Sequence, residues 1–258
     1  MKERTILTLP RQSDDPVYGR MVYQRIWMST VLRLTSADCA LTMPAGPSGS
    51  VNLSFALFFL VNLWENIAMK IILGSGSPRR QEILKNWGYN FDVRIPQIDE
   101  RSIRSDDFKS LPVLIARSKS ENLREKITEP AILITCDTVV VHDGKLYEKP
   151  LSDDEARSFL LSYGSTPAEV ISGVVVMNTE NKKIAEGVDS AKVYFLKIPL
   201  SLIEEMILLG KVFDWAGAFH PADPAIKPYI AYIEGEKDTV MGLPGFLTRR
   251  LIDEVSNG

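Results

Sequence analysis

The sequence predicts an α/β protein built on a mixed β-sheet. Short apolar runs that are typical of buried strands alternate with segments whose apolar residues recur at helical spacing. An Asp143-Gly144 turn between two apolar stretches adds an antiparallel hairpin to this alternation. Alternating strands and helices favour parallel pairing, whereas a hairpin requires antiparallel pairing, so we expect both in one sheet.

The first strand and the first helix are the best-defined pair. Residues 69–73 are apolar apart from Lys70 and predict a short buried strand. Ser77 is a suitable N-cap, and Pro78 suits the first position of a helix that carries Ile83 and Leu84 on its apolar face. A strand, a short loop and a helix therefore open the folded region.

The remaining elements follow the same two periodicities. Residues 152–161 begin with a Ser-Asp-Asp-Glu capping box, which marks a helix start. The other predicted helices are residues 108–126, 200–209 and 243–255. The other predicted strands are residues 89–95, 131–135 with an extension at 138–141, 146–147, 170–177 and 191–196.

Residues 1–68 differ from the rest of the chain. Residues 51–63 form an apolar run that polar residues interrupt, and the run is shorter than the roughly 20 residues of a membrane-spanning helix. Residues 45–50 have the composition of a linker. We expect residues 1–68 to be a dispensable extension, disordered or upstream of a mis-assigned start, and 69–258 to be the domain. The alternative is a membrane-surface or targeting element.

Composition limits the kinds of site this chain can contain. A net charge of −3 gives no basic field of the kind that binds nucleic acid. The two cysteines, Cys39 and Cys136, give no disulfide framework and fit a reducing compartment. With only His142 and His220, a multi-histidine zinc site is not expected, so a metal would be oxygen-ligated Mg²⁺ or Mn²⁺.

Arg79 and Arg80 stand out because they fall in the first turn of the predicted helix. The helix dipole disfavours cations there, so the pair does not favour helix stability. Arginines beside free backbone N–H groups suit a polyanion such as a phosphate chain. The alternative is a solvated arginine pair.

Asp137 is the sharpest single candidate for catalysis. It lies within an apolar strand, where an unpaired carboxylate would cost several kcal/mol. It must therefore be paired, bound to metal, or placed at a strand break where it caps N–H groups. Lys119 borders a helix's apolar face and either snorkels to water or contacts phosphate, and Lys149 is fixed beside Pro150. Glu100, in a polar loop, is by itself an ordinary surface acid.

Several of these segments resemble motifs of the Maf family of nucleotide pyrophosphatases. Residues 75–82 (SGSPRRQE) are similar to its opening signature, and Cys136-Asp137-Thr138-Val139-Val140 is similar to its Ala-Asp-Thr-Val-Val. Residues 214–219 and 239–244 resemble two later motifs, in the family's order. The resemblance covers residues 69 to about 255. It implies an elongated two-lobed fold, related to inosine-triphosphate pyrophosphatases, with the site in the cleft between the lobes.

The resemblance also implies roles for individual residues. Asp137 corresponds to the general base or metal-bound residue that activates water, and Glu100 to an acid that helps hold a divalent metal, Mg²⁺ or Mn²⁺. The residues that match substrate-binding positions are Ser75, Arg79, Arg80, Lys119, Thr138 and Lys149.

The activity implied is hydrolysis of a nucleoside triphosphate to the monophosphate and pyrophosphate. Its role would be to clear unwanted nucleotides, in a cytoplasmic homodimer that needs neither nucleic acid nor a membrane. One alternative is a nucleotide-binding regulator of septum formation that does not turn substrate over. Others are a 7-methyl-GTP pyrophosphatase and hydrolysis of another phosphoanhydride.

The residues of the predicted site give conflicting indications of which nucleobase it accepts. Arg79 and Thr138 match positions that mark the members acting on dTTP and UTP. Those members carry a glutamine where this chain has Ala222, followed by Asp223. An alanine cannot form hydrogen bonds with the edge of a base. We therefore expect the activity to extend to modified pyrimidine nucleotides, with Asp223 or a water molecule in the role of the missing glutamine. Ala222→Gln is expected to narrow the range of nucleotides that the protein hydrolyses.

Overall fold

Seven strands form one mixed sheet in the computed structural model, which describes residues 69–256. The strands are β1 (Lys70–Leu73), β2 (Phe91–Val93), β3 (Ala131–His142), β4 (Lys145–Tyr147), β5 (Ala168–Asn178), β6 (Ile184–Phe195) and β7 (Ile230–Glu234). Their order is β2-β1-β3-β5-β6-β7, and β4 also pairs with β3. β1 is parallel to β2 and β3, and the other pairs are antiparallel. The predicted α/β class with a mixed sheet is confirmed.

Six α-helices flank this sheet within residues 69–256. They are α1 (Pro78–Asn86), α2 (Leu111–Arg124), α3 (Asp153–Ser162), α4 (Leu200–Leu208), α5 (Lys237–Val240) and α6 (Gly245–Ser256). Short 3₁₀ turns occur at Glu100–Ser102, Lys211–Asp214, Ala216–Ala218 and Lys227–Tyr229. Among the described helices none has the length and apolar character to span a membrane. The predicted extension, residues 1–68, lies outside the described residues and stays a prediction.

The predicted helix starts are confirmed where capping signals are present. α1 begins at Pro78 after an extended Ser77, and α3 begins after Ser152, whose Oγ accepts a hydrogen bond from the Glu155 N–H at 3.2 Å. β7 and α5 were not predicted from the sequence. Both elements are short, with five and four residues, so they carry little periodic signal.

The strand β3 is continuous, and one of its edges is only partly covered. β5 pairs with residues 132–141 along one edge, while the other edge pairs with β1 at residues 131–134 and with β4 at residues 140–142. Between β1 and β4, residues 135–139 have no strand partner on that edge among the described strands. Asp137 lies in the middle of this gap.

Helices cover the two faces of β3 around this gap. α2 approaches closely because Gly173, the β5 residue opposite Asp137, has no side chain; a Cβ there would lie 2.4 Å from the Val113 nitrogen. α2 buries Leu111, Ile115, Lys119 and Leu123 at four-residue intervals against the sheet. On the opposite face α1 and α6 pack on residues that include Ile134 and Cys136.

A separate apolar core lies at the β4 end of the gap, where α3, α4 and the 3₁₀ turns pack on β3, β5 and β6. Tyr163, just after α3, donates a hydrogen bond from its hydroxyl to the Gly217 carbonyl at 2.8 Å. Gly217 also donates its N–H to the Glu148 carbonyl at 3.1 Å. These bonds fix residues 214–221 as a wall beside the open edge of β3.

Candidate active site

A cavity of about 990 Å³ lies over the open edge of β3. Its size is at the upper end of the range for small-molecule sites, about 300–1,000 Å³. Its walls are the loop after β1, the start of α1, the turn at 95–104, α2, the β4–α3 loop, residues 214–221 and residues 240–242. Every residue predicted for the site, namely Ser75, Arg79, Arg80, Glu100, Lys119, Asp137, Thr138 and Lys149, lines this one cavity.

Asp137 is held by a buried ion pair with Lys119. The Lys119 Nζ lies 2.7 Å from Asp137 Oδ1 and 3.0 Å from Glu100 Oε1, and it is 3.5 Å from the Cys136 carbonyl oxygen. The Lys119 side chain is only 5% exposed, so it does not snorkel to water. The Lys119 ammonium therefore has three protein oxygens within 3.5 Å. Lys119 therefore fixes the orientation of both carboxylates.

Burial raises the pKa of Asp137, while the charges of Lys119 and Arg80 act in the opposite direction without cancelling the rise. A carboxylate with a raised pKa is a stronger base than an exposed one. Its accessible position, in a strand gap that faces a cavity, suits a group that takes a proton from water.

Arg80 is bound to the protein through four acceptors. Its Nη1 donates to Ser75 Oγ at 3.1 Å and to the Cys136 carbonyl at 3.0 Å. Its Nη2 donates to Thr138 Oγ1 at 3.2 Å and its Nε donates to the Gly242 carbonyl at 2.9 Å. The Cys136 carbonyl belongs to the open edge of β3, so the guanidinium satisfies an acceptor that a strand would otherwise pair. Arg80 thereby ties the start of α1 to three other segments of the cavity wall, namely the loop after β1, β3 and residues 240–242.

Arg79 and Lys149 are placed differently. The Arg79 guanidinium carbon lies 5.6 Å from the centre of the Trp215 ring, which is a cation–π arrangement. Burial is the main cause that lowers the pKa of Arg79, and the nearby charge of Arg80 lowers that pKa further. Lys149 is exposed at the cavity margin. Neither cation has an ion pair within residues 69–256, so both remain available to an anion in the cavity.

Thr138 begins a chain of hydroxyl contacts that leads away from the cavity. Its Oγ1 lies 2.8 Å from Ser172 Oγ, and Ser172 donates to the Thr239 carbonyl at 3.0 Å. The Thr239 hydroxyl in turn donates to Asp189. Gly242, with a φ of 100°, holds the backbone turn whose carbonyl meets Arg80. The residues 239–244, for which sequence gave no chemistry, thus support the site through their backbone.

Sequence reasoning missed several residues of the cavity wall. Arg104 Nη1 lies 3.1 Å from Glu148 Oε1, an ion pair between the loop before α2 and the loop after β4. Arg101 lines the cavity beside Glu100, and His220 lines it beside Trp215. No sequence motif marks Arg101 or Arg104, and His220 carried no signal beyond being one of two histidines.

Ala222 and Asp223 are not part of the cavity wall. Ala222 is exposed, and the lining residues of that segment end at Pro221. Asp223 accepts a hydrogen bond from the Ala225 N–H at 2.9 Å and donates its own N–H to the His220 carbonyl at 3.0 Å. The expectation that Asp223 substitutes for a base-reading amide finds no support in this arrangement.

The donors available for a divalent cation are the two carboxylates that meet at Lys119. Within residues 69–256 no group of three or more histidine, cysteine, aspartate or glutamate side chains could hold a metal ion. Asp137 and Glu100 each retain a second carboxylate oxygen beside the cavity. One or two carboxylates with substrate phosphates and waters is the usual set for Mg²⁺, so these residues fit a cation that arrives with a phosphate substrate.

The comparisons with known proteins agree with this geometry. Phosphoryl transfer depends on positive charge placed around the phosphates, and cations line this cavity together with the buried Asp137. The family model described as Maf-like protein matches residues 70–255, and the chain belongs to this family.

Two curated relatives illustrate the range of names within the matches. The chain is 40% identical over 196 residues to a 7-methyl-GTP pyrophosphatase of Dictyostelium discoideum, covering 72% of this chain and 97% of that protein. It is 34% identical over 177 residues to a dTTP/UTP pyrophosphatase of Clostridium perfringens, covering 68% and 92%. A solved dITP/XTP pyrophosphatase of Mycobacterium abscessus aligns at 14% identity over 51% of this chain and 75% of that one. Its TM-score is 0.33, too low to bear on the fold.

Proposed function

We propose that this chain is a nucleoside triphosphate pyrophosphatase that releases pyrophosphate and a nucleoside monophosphate. The observation that carries the proposal is the position of Asp137, a buried carboxylate in a strand gap that opens on a cavity with cations around it. The names of both curated relatives support the same reaction class.

The reaction needs one base and several positive charges. Asp137 accepts a proton from water, and the water oxygen forms a bond to the α-phosphorus. The bond from the α-phosphorus to the bridging oxygen then breaks, and that oxygen leaves as part of pyrophosphate. Arg79 and Lys149 stabilise the negative charge on the departing phosphates, while Lys119 keeps Asp137 ionised and oriented.

A divalent cation, Mg²⁺ or Mn²⁺, fits beside Asp137 and Glu100. When bound it supplies charge neutralisation to phosphate oxygens and lowers the pKa of water. Glu100 is the more exposed of the two carboxylates, at 52% against 10% for Asp137, so it is the one better placed to meet an arriving cation.

For the base we propose dTTP or UTP, with modified pyrimidine nucleotides, as the first candidates. The resemblance associates Arg79 and Thr138 with the pyrimidine-type members, and both residues line the cavity. The second candidate is 7-methyl-GTP, because the relative with 40% identity carries that name. In either case the biological role is removal of unwanted nucleotides, and we propose a cytoplasmic homodimer.

The test is a panel of triphosphates incubated with the full-length protein and Mg²⁺ or Mn²⁺. We expect pyrophosphate and the monophosphate in equal amounts, with dTTP, UTP or 7-methyl-GTP turned over fastest. Release of orthophosphate with a diphosphate product would contradict cleavage at the α-phosphorus. Binding of a triphosphate without any release, in either metal, would favour the regulatory alternative.

A further inference from the structure

His220 lies in the cavity wall, in the same segment as Trp215. Its ring centre is 5.7 Å from that of Trp215, and Trp215 in turn carries the Arg79 guanidinium. Residues 220–223 form a turn, closed by the Asp223 N–H on the His220 carbonyl at 3.0 Å, with Pro221 as its second residue. The turn fixes the His220 backbone beside the cavity.

One nitrogen of this ring has no partner. His220 is 8% exposed, and its Nε2 is buried without a hydrogen bond to any residue of 69–256. A buried polar atom that stays unpaired destabilises the folded protein. The cost makes sense for a residue whose partner arrives with the substrate. Rotation about the second torsion of the histidine, which is broad and roughly two-fold, changes which ring nitrogen faces the cavity.

The charge state of the ring decides which part of a nucleotide it can meet. Burial, followed by the charge of Arg79, lowers the pKa of His220 to about 4. At neutral pH the imidazole is therefore uncharged and offers one donor and one acceptor. Such a group adds little to phosphate binding, which needs cations, but it suits the polar edge of a neutral base.

We propose that His220 is a specificity-determining residue that hydrogen-bonds the nucleobase. The inference rests on the proposed function for its substrate class. In the proposed complex the base lies against the wall made by Trp215 and His220, while the phosphates lie towards Asp137.

The experiment compares His220→Phe and His220→Gln with the wild-type chain. Phenylalanine keeps the ring but removes both nitrogens, whereas glutamine keeps a donor and an acceptor. We expect His220→Phe to lower kcat/KM for the preferred triphosphate about 10-fold and to flatten the preference among bases, because one hydrogen bond is lost. His220→Gln should recover part of the preference. Inorganic tripolyphosphate, which has no base, should inhibit all three proteins with inhibition constants that agree within about twofold.

The outcomes separate this inference from the proposed function. Equal losses for every nucleotide, or a matching loss of tripolyphosphate affinity, would show that His220 supports the fold or the phosphate site and would overturn the proposal. If no triphosphate is hydrolysed, the same comparison is made with dissociation constants for dTTP and 7-methyl-GTP. Base-dependent weakening in His220→Phe then upholds the inference while the proposed function fails. If neither nucleotide binds, both are wrong.

A stability measurement tests the neutral state of the ring independently. Because the pKa of His220 is about 4 in the fold and 6.5 ordinarily, only the unfolded chain gains its proton as the pH falls between those values. The contribution of His220 to the free energy of unfolding is thus present above pH 6.5 and is lost progressively down to pH 4. Urea unfolding at pH 7 and pH 5 should show a smaller loss for His220→Phe than for wild type. Equal losses would mean that the ring titrates normally and would remove the argument for base contact.

Discussion

Two pairs of cations face the same cavity, and they differ in what they are bound to. Arg80 donates to four protein acceptors and Lys119 has three within 3.5 Å, most of them on the loop after β1 and on β3. Arg79 and Lys149 have no ion pair in the described part of the chain. The difference shows that positive residues in a site are not equivalent. The inner pair shapes and charges the site, and the outer pair is free to bind phosphate.

The largest effect on activity is expected from a change of Asp137, which Lys119 of the inner pair contacts. Asp137→Asn keeps the shape of the side chain but removes the base, so kcat should fall by about 10²–10⁴. Binding of tripolyphosphate should persist, because Arg79 and Lys149 are untouched. The measurement is steady-state pyrophosphate release together with calorimetric binding. Asp253→Asn, an exposed acid on α6, is the matched control and should behave as wild type. Near-normal turnover in Asp137→Asn would remove this residue from the mechanism.

The next prediction uses the pH dependence of kcat/KM to distinguish Lys119, an inner cation, from Lys149, an outer one. Lys119→Met leaves Asp137 buried without its ion pair, which costs about 3–5 kcal/mol of stability. Burial already raises the pKa of Asp137 and Lys119 opposes that rise, so the pKa must increase further in the variant. The acid limb of the kcat/KM profile should therefore move to higher pH. Lys119→Arg should restore part of the shift even if stability is not fully recovered.

An unchanged acid limb in a folded Lys119→Met protein would contradict the assigned role. Lys149→Met is the outer counterpart, and because Lys149 is exposed its effect on stability should stay within about 0.5 kcal/mol. Its KM should rise several-fold while the acid limb stays in place. A shift of the limb in both variants would mean that the two cations act alike.

The two adjacent arginines provide the closest comparison. Arg80→Lys cannot reach four acceptors at once, so we expect a loss of about 2–4 kcal/mol in the free energy of unfolding. Arg79→Lys loses only its contact with Trp215, worth about 0.5–1 kcal/mol, but should raise KM about 10-fold. Chemical denaturation and kinetics on both variants give the two numbers. If Arg79→Lys is the less stable protein, the division into inner and outer cations is wrong.

The smallest effect is expected from removing residues 1–68. A chain that begins at Met69 contains the whole family match, which runs from residue 70 to residue 255. Its thermal midpoint and its turnover should equal those of the full chain. Failure of the shorter chain to fold would show that the apolar run 51–63 packs on the domain.

The sequence by itself determined the elements that carry a local capping, turn or periodic signal, and it named candidate site residues. Ser77-Pro78, Ser152 and Asp143-Gly144 act through neighbours a few residues away, so the two helix starts and the hairpin were predictable. The resemblance to the family named the residues that meet in one cavity, since motif spacing reflects the chemistry that those residues share.

The tertiary structure decided how those residues are used. The gap between β1 and β4 depends on which strands pair with β3, and that pairing joins residues far apart in the chain. Arg80 reaches Gly242 and Lys119 reaches Asp137 across long sequence separations, so no local pattern showed that these two cations are bound internally. The burial of His220 has the same origin. Burial and charge pairing depend on which segments pack together in the folded protein. They therefore cannot be predicted from one segment of the sequence at a time.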